Sequence, residues 1–163
     1  MEPPSPHAGT DIIIEDARWR ASVPDTERVV RRAIAAVPRQ GGPDFAVSPP
    51  PSILLSTDRV VKRLNGHFRN RNKPTNVLTF EPVSPQHGGD IILAYETVRR
   101  EAQAARRSLR AHLSHLVVHG LLHLAGYDHH HPGEAREMEG VETRTMRALG
   151  FGDPWRQGGK VRA

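Results

Sequence analysis

The stretch LRAHLSHLVVHGLLHLAGYDH, residues 109–129, is apolar nearly all round if wound as a helix, with Leu113, Leu116, Val117, Val118, Leu121, Leu122 and Leu124 pointing to most sides. Such a helix belongs in a core. It nevertheless carries His119 and His123, one turn apart, so that both imidazoles project from the same face. Burying them without partners would cost about 1–3 kcal/mol each, so something must satisfy them. Gly126 is placed to take the left-handed conformation that ends a helix. A chain that turns back at that point delivers His129 to the other two histidines.

The pattern H-x3-H-x2-G-x2-H thus supplies two ligands from a helix and one from beyond a glycine turn. Zinc with three protein ligands keeps a fourth position open, which is the catalytic arrangement, whereas a closed structural site wants four. Asp128 is a conceivable fourth ligand, or it orients a ligand histidine from behind. His115, one turn before His119, competes as a ligand or supports the others. The plainer alternative is a group of core histidines hydrogen-bonded to backbone and neighbours. There is no cysteine among the 163 residues, which excludes both a disulfide framework and a thiolate metal site, so a transition metal must be held by histidine and carboxylate. In zinc proteases the residue after the first histidine is the glutamate base of H-E-x-x-H. Here it is Gly120. The metal cradle is present without the protease base, and peptide hydrolysis is disfavoured unless a carboxylate such as Asp90 or Asp128 stands in.

Working outward, Ile12–Ile14 read as a strand, and PDTERVVRRAIAAV (24–37) reads as a helix with Val29, Val30, Ile34 and Val37 inward. PPPSILLST (49–57) is a strand that its prolines place near a sheet edge. Asp58 suits the N-cap of a helix over DRVVKRLNG. NVLTFE (76–81) and DIILAYE (90–96) form two strands of a hairpin, and three helices follow from Glu96 onward. Strands mixed with helices, then three helices, indicate an α/β (α+β) single domain over residues 11–152, a small mixed sheet covered by helices. Residues 1–10, rich in proline, and 153–163 read as flexible tails. The N-terminus has no secretory signal and no run reaches the ~18 apolar residues of a membrane span, so a cytoplasmic protein is expected.

A net charge of +5 makes a polyanionic partner plausible, although 20 of the 23 cationic residues are arginine, as a GC-rich genome would also produce. HFRNRNKPTNVLTF (67–80) concentrates Arg69, Arg71 and Lys73 ahead of a strand, and guanidinium groups bind phosphate oxygens bidentately. The loop alone reads equally as a solvated surface.

Taken together, LNGHFRNRNKPTNVLTF, GGDIILA, LSHLVVHGLLHLAGYDH and EMEGVETRTMRALGF resemble the YbeY family of bacterial metal-dependent endoribonucleases and rRNA maturation factors, over roughly residues 50–152. The resemblance implies a metal site at the end of a central helix, one Zn²⁺ per chain on His119, His123 and His129, and a functional arginine at Arg69. It also implies ribosomal RNA as substrate, with roles in 16S rRNA 3′ end maturation and ribosome quality control. By the same analogy a small-subunit ribosomal protein or an assembly GTPase is an expected partner. The chain departs from the family pattern at Asn76, where Asp is common, at Gly88, where a larger apolar residue is common, and in its PPPS stretch. Two other functions remain open: a non-catalytic RNA-binding assembly factor with structural zinc, and a metal-dependent hydrolase of another substrate.

Overall fold

A computed structural model describes residues 10–40, 49–69, 75–84, 86–127 and 132–152, with side chains at 38–40, 67–69 and 132 outside that description. Strand β1 (Ile12–Ile14) leads into a short helix α1 (Arg18–Ser22) and the longer α2 (Thr26–Gln40). Strand β2 (Ser52–Ser56) and helix α3 (Asp58–Arg69) follow, then β3 (Val77–Phe80) and β4 (Asp90–Ala94), and finally α4 (Tyr95–Ala104), α5 (Leu109–Leu124) and α6 (Pro132–Ala148). The sheet order is β1-β2-β4-β3, with β1, β2 and β4 parallel and β3 antiparallel to β4 as the predicted hairpin.

The register aligns Ile12, Ile53 and Ile91 across the sheet, and likewise Ile14, Leu55, Leu93 and Val77. These residues share one face and join the main core with Trp19 and residues of α2, α5 and α6. The alternate residues Leu54, Ile92, Ala94 and Leu78 meet Val61 of α3 on the other face. Two layers of helix therefore sandwich one sheet, with α5 central, packed against α2, α4 and α6 as well as β3 and β4.

Several sequence expectations are corrected. Strand β2 is interior, next to the edge strand β1 and not itself unpaired: it pairs with β1 on one side and β4 on the other. Its prolines precede the ladder, and Ser52 and Ile53 donate their backbone N–H groups to Gly89 and Asp11. The cap of α3 is Thr57, whose hydroxyl accepts from Val60 N–H, while the Asp58 carboxylate reaches across to Thr97 at the start of α4. Helix α1 was not anticipated, since five residues are too few to show a period. Its Trp19 is fully buried and donates Nε1–H to the Ser56 carbonyl.

Two departures from the family pattern meet in space. A Cβ at Gly88 would stand 2.1 Å from the Pro49 carbonyl oxygen and 2.4 Å from the Pro50 carbonyl carbon. The proline-rich approach to β2 occupies the volume that a larger residue at 88 would need.

Candidate active site

Helix α5 begins at Ser108, whose hydroxyl accepts from Ala111 N–H, and ends in a glycine cap. Gly126 adopts φ +101°, its N–H bonds the His123 carbonyl, and Tyr127 N–H bonds Leu122, which together satisfy two of the orphan carbonyls of the last turn. The turn is the one the sequence predicts. His129 and Asp128, which it would deliver, lie outside the described residues.

His119 and His123 project from one face of α5, with ring centroids 4.6 Å apart and their Nε2 atoms separated by 3.0 Å. They form one wall of an open groove of about 360 Å³, whose other lining residues are Asn65 of α3 and Thr75 to Thr79 along β3. The groove thus runs between the central helix and an edge strand. Its described lining is polar but carries no formal charge apart from what the histidines acquire.

Behind His119 stands a residue the sequence reading missed. Glu142 of α6 is fully buried, and its Oε1 accepts from His119 Nδ1 at 2.5 Å while Oε2 faces His115 Nε2 at 3.4 Å. Burial alone would raise its pKa, but the hydrogen bonds from His115 and His119 outweigh that and hold it at about 2. The signal was present in the sequence. The buried positions of α6 include Met138, Val141, Thr145 and Met146, a helical stripe, and Glu142 sits on that stripe. A carboxylate on an apolar stripe needs a partner.

His115 is buried, one turn from His119, with Nε2 toward Glu142 and Nδ1 at 3.5 Å from Arg107 Nη1. Burial lowers its pKa despite the neighbouring carboxylate. It does not line the groove; it sits behind the pair and faces Glu142. His112, one turn further back, bonds Glu101 of α4 at 3.1 Å.

Asn76, where the family pattern commonly has Asp, donates Nδ2–H to the same Glu101 oxygen at 2.9 Å. Burial acts to raise the Glu101 pKa, but the bonds from His112 and Asn76 lower it overall. An amide rather than an acid therefore fits beside this carboxylate.

Asp90, considered as a base, is exposed at the start of β4, opposite Phe80. Strand alternation puts its side chain on the face opposite Ile91, away from α5, and it does not line the groove. Arg69 is not in a loop: it is the last residue of α3, with its side chain outside the description. Arg71 and Lys73 lie outside the described residues altogether.

Gly120 has a packing reason. Its Cβ would meet Ile91 Cδ1 at 3.0 Å, Cγ2 at 3.2 Å and Cγ1 at 3.3 Å, so this position faces β4. The glycine lets helix and sheet approach; a glutamate here would enter the core.

Two imidazole nitrogens on one tetrahedral zinc at ~2.0–2.1 Å stand roughly 3.3 Å apart. The 3.0 Å between the His119 and His123 Nε2 atoms is close to that spacing, and both belong to the nitrogen donor class zinc accepts. Among the described residues no group of three His, Cys, Asp or Glu side chains gathers to hold a metal, so the fit concerns these two donors. Among the described residues no helix is long and apolar enough to cross a membrane.

Comparison with known proteins agrees with the resemblance in the sequence. The family model described as Endoribonuclease YbeY matches residues 13–150. An endoribonuclease YbeY of Gluconobacter oxydans (strain 621H) is 84% identical over 158 residues, covering 97% of this chain and 94% of the relative. One from Chelativorans sp. (strain BNC1) is 42% identical, over 94% of this chain and 97% of its own. The solution structure of TM1509 from Thermotoga maritima shares the fold, with a TM-score of 0.53 at 21% identity, covering 90% of this chain and 99% of that one. The α/β core, its four-stranded sheet and the family thus agree, and the chain belongs to the endoribonuclease YbeY family.

Proposed function

We propose that this family member is a zinc-dependent hydrolase that cuts RNA internally, preferring single strands, and that it acts on ribosomal RNA, including 16S rRNA 3′ end maturation and ribosome quality control. The observation that carries the reading is the pair of Nε2 atoms 3.0 Å apart, opening on a groove, with a buried carboxylate behind one of them. His119 and His123 would hold the ion, with His129 as the third donor. When bound, zinc supplies Lewis acidity at a phosphodiester.

The chain's own residues do the rest. The wall that includes Asn65, Thr75, Asn76 and Thr79 is polar and carries no charge that would repel a polyanion. Arg69, at the end of the helix that also carries Asn65, would bind the scissile phosphate and stabilise charge that develops there. Arg71 and Lys73 would extend that contact along the backbone. Contacts with a small-subunit ribosomal protein or an assembly GTPase belong to the same proposal.

The test is cleavage of a ribosomal RNA fragment by wild type, His123→Ala and Arg69→Ala, purified identically, with and without chelator. Loss of cleavage in both folded variants and under chelation is expected. Equal cleavage by all three proteins would expose a contaminant. RNA binding without cleavage by wild type would turn the reading toward an assembly factor with structural zinc.

A further inference from the structure

The donor roles behind His119 follow from the chemistry of its neighbours. Arg107 can only donate, and its Nη1 stands 3.5 Å from His115 Nδ1. That nitrogen therefore accepts, and the His115 proton sits on Nε2, facing Glu142 Oε2 at 3.4 Å. An ionised carboxylate accepts only. Glu142 thus takes the His115 proton donor on one oxygen and His119 Nδ1–H on the other, at 2.5 Å. The remaining nitrogen of His119, Nε2, keeps its lone pair, and it is the atom turned toward His123 Nε2.

Packing alone gives no reason for a carboxylate here. Buried ionic groups can often be replaced by apolar residues of similar volume without loss of stability. Met138, Val141 and Met146 already line the same stripe of α6. A charged acceptor that spans two rings can hold each in one tautomer and at one angle, as outer carboxylates do for histidines on a metal.

We propose that Glu142 is a positioning residue for the zinc site: from helix α6 it fixes His119 as the Nδ1–H tautomer with Nε2 bare toward the groove, while His115, oriented by Arg107, holds the carboxylate in place. The inference rests on the zinc reading above and extends it beyond the three histidines. Orientation of the ring passes through a different helix from the one that carries it, so α6 is part of the site although none of its described residues lines the groove.

Two measurements on the full chain test it. Zinc affinity of wild type and Glu142→Gln is compared by competition with a chromophoric chelator, and the His119 tautomer is read from long-range ¹H–¹⁵N correlations in metal-free wild type. The variant should melt cooperatively and bind zinc about 10–100-fold more weakly. The wild-type spectrum should show His119 protonated at Nδ1. Unchanged zinc affinity in a folded variant overturns the proposal, and so does a His119 protonated at Nε2 in wild type. If Glu142→Gln does not fold, the wild-type tautomer alone decides. Wild type that binds no zinc sinks the zinc reading, whereas tight wild-type binding with an indifferent Glu142→Gln sinks only the role of Glu142.

Discussion

Substituting Gly120 by alanine separates a packing role from a catalytic one. In a helix interior alanine is favoured over glycine by about 0.8–1.0 kcal/mol. Burying one more methyl adds roughly 0.8 kcal/mol. Against both stands Ile91, whose Cδ1, Cγ2 and Cγ1 would lie 3.0, 3.2 and 3.3 Å from the new Cβ. Carbon pairs prefer roughly 3.5–4.0 Å, so three contacts must open at once. No single χ rotation opens them all, and Ile91 is fully buried on a strand paired on both sides. Overpacking costs of ~1–3 kcal/mol are usual, and this geometry argues for the upper end. Gly120→Ala should therefore lose about 1 kcal/mol net, lowering Tm by about 3 °C. Ile91→Val removes the nearest atom and alone costs ~1 kcal/mol. Combined with Gly120→Ala it should cost less than the sum, with a coupling of about 1 kcal/mol. Urea unfolding of the four proteins in chelator measures the cycle. Zinc affinity should not change in Gly120→Ala, because the added methyl points to the sheet. A stabilised Gly120→Ala, additive with Ile91→Val, would refute the packing account and return the glycine to the chemistry.

Two further substitutions test local readings. Gly88→Ala puts its methyl against the Pro49 and Pro50 backbone at 2.1–2.5 Å, and backbone cannot rotate away; a loss of ~3 kcal/mol and a Tm lower by about 9 °C are expected. A melt within 2 °C of wild type would show that the approach to β2 yields more easily than this. Asn76→Asp replaces the donor to Glu101 with a second carboxylate. Solvent screens the pair, since the Glu101 side chain is 42% exposed, so a loss of about 1 kcal/mol is expected at pH 7. In wild type the lowered Glu101 pKa contributes stability that is present above its ordinary value of 4.5 and is lost as pH falls through the lowered one. In the variant the pair repels until one carboxyl takes a proton. The difference between the two melts should close on acidification, and a constant difference from pH 7 to about pH 4 would contradict the carboxylate pairing.

The parts of the fold that were legible in the sequence are those that repeat. Helices α2 and α3 announce themselves by period, α5 by a long apolar run that carries histidines one turn apart, and the β3–β4 hairpin by two β-branched runs around a Pro/Gly loop. Gly126 was legible because a helix end requires particular backbone geometry. What failed was placement set by distant partners. Prolines 49–51 argued for an edge, but they stop one residue before the ladder, so they remove no donor that β2 needs. Asp58 has the chemistry of a cap, yet its carboxylate is taken by Thr97, 39 residues away, and Thr57 caps instead. At Gly120 the sequence shows the missing base but not the packing reason, because the helix alone does not reveal which side β4 occupies. Glu142 differs: its place on the stripe of α6 was visible, and only its partners were not.

Those partners explain how one helix can be both core and proposed active site. His112, His115, His119 and His123 descend one face of α5 at single-turn spacing, a polar seam through an otherwise apolar helix. Each step of the seam that enters the core is met by a carboxylate from another helix: Glu101 of α4 for His112, Glu142 of α6 for His115 and His119. Only at the last step does the seam open onto the groove, where His119 and His123 bring their Nε2 atoms together. Core hydrogen bonding and the proposed metal binding, set against each other as rival readings of these histidines, would then occupy successive turns of the same seam. Glu142 is the residue at which one becomes the other, since a single carboxylate serves a histidine behind the site and a histidine within it.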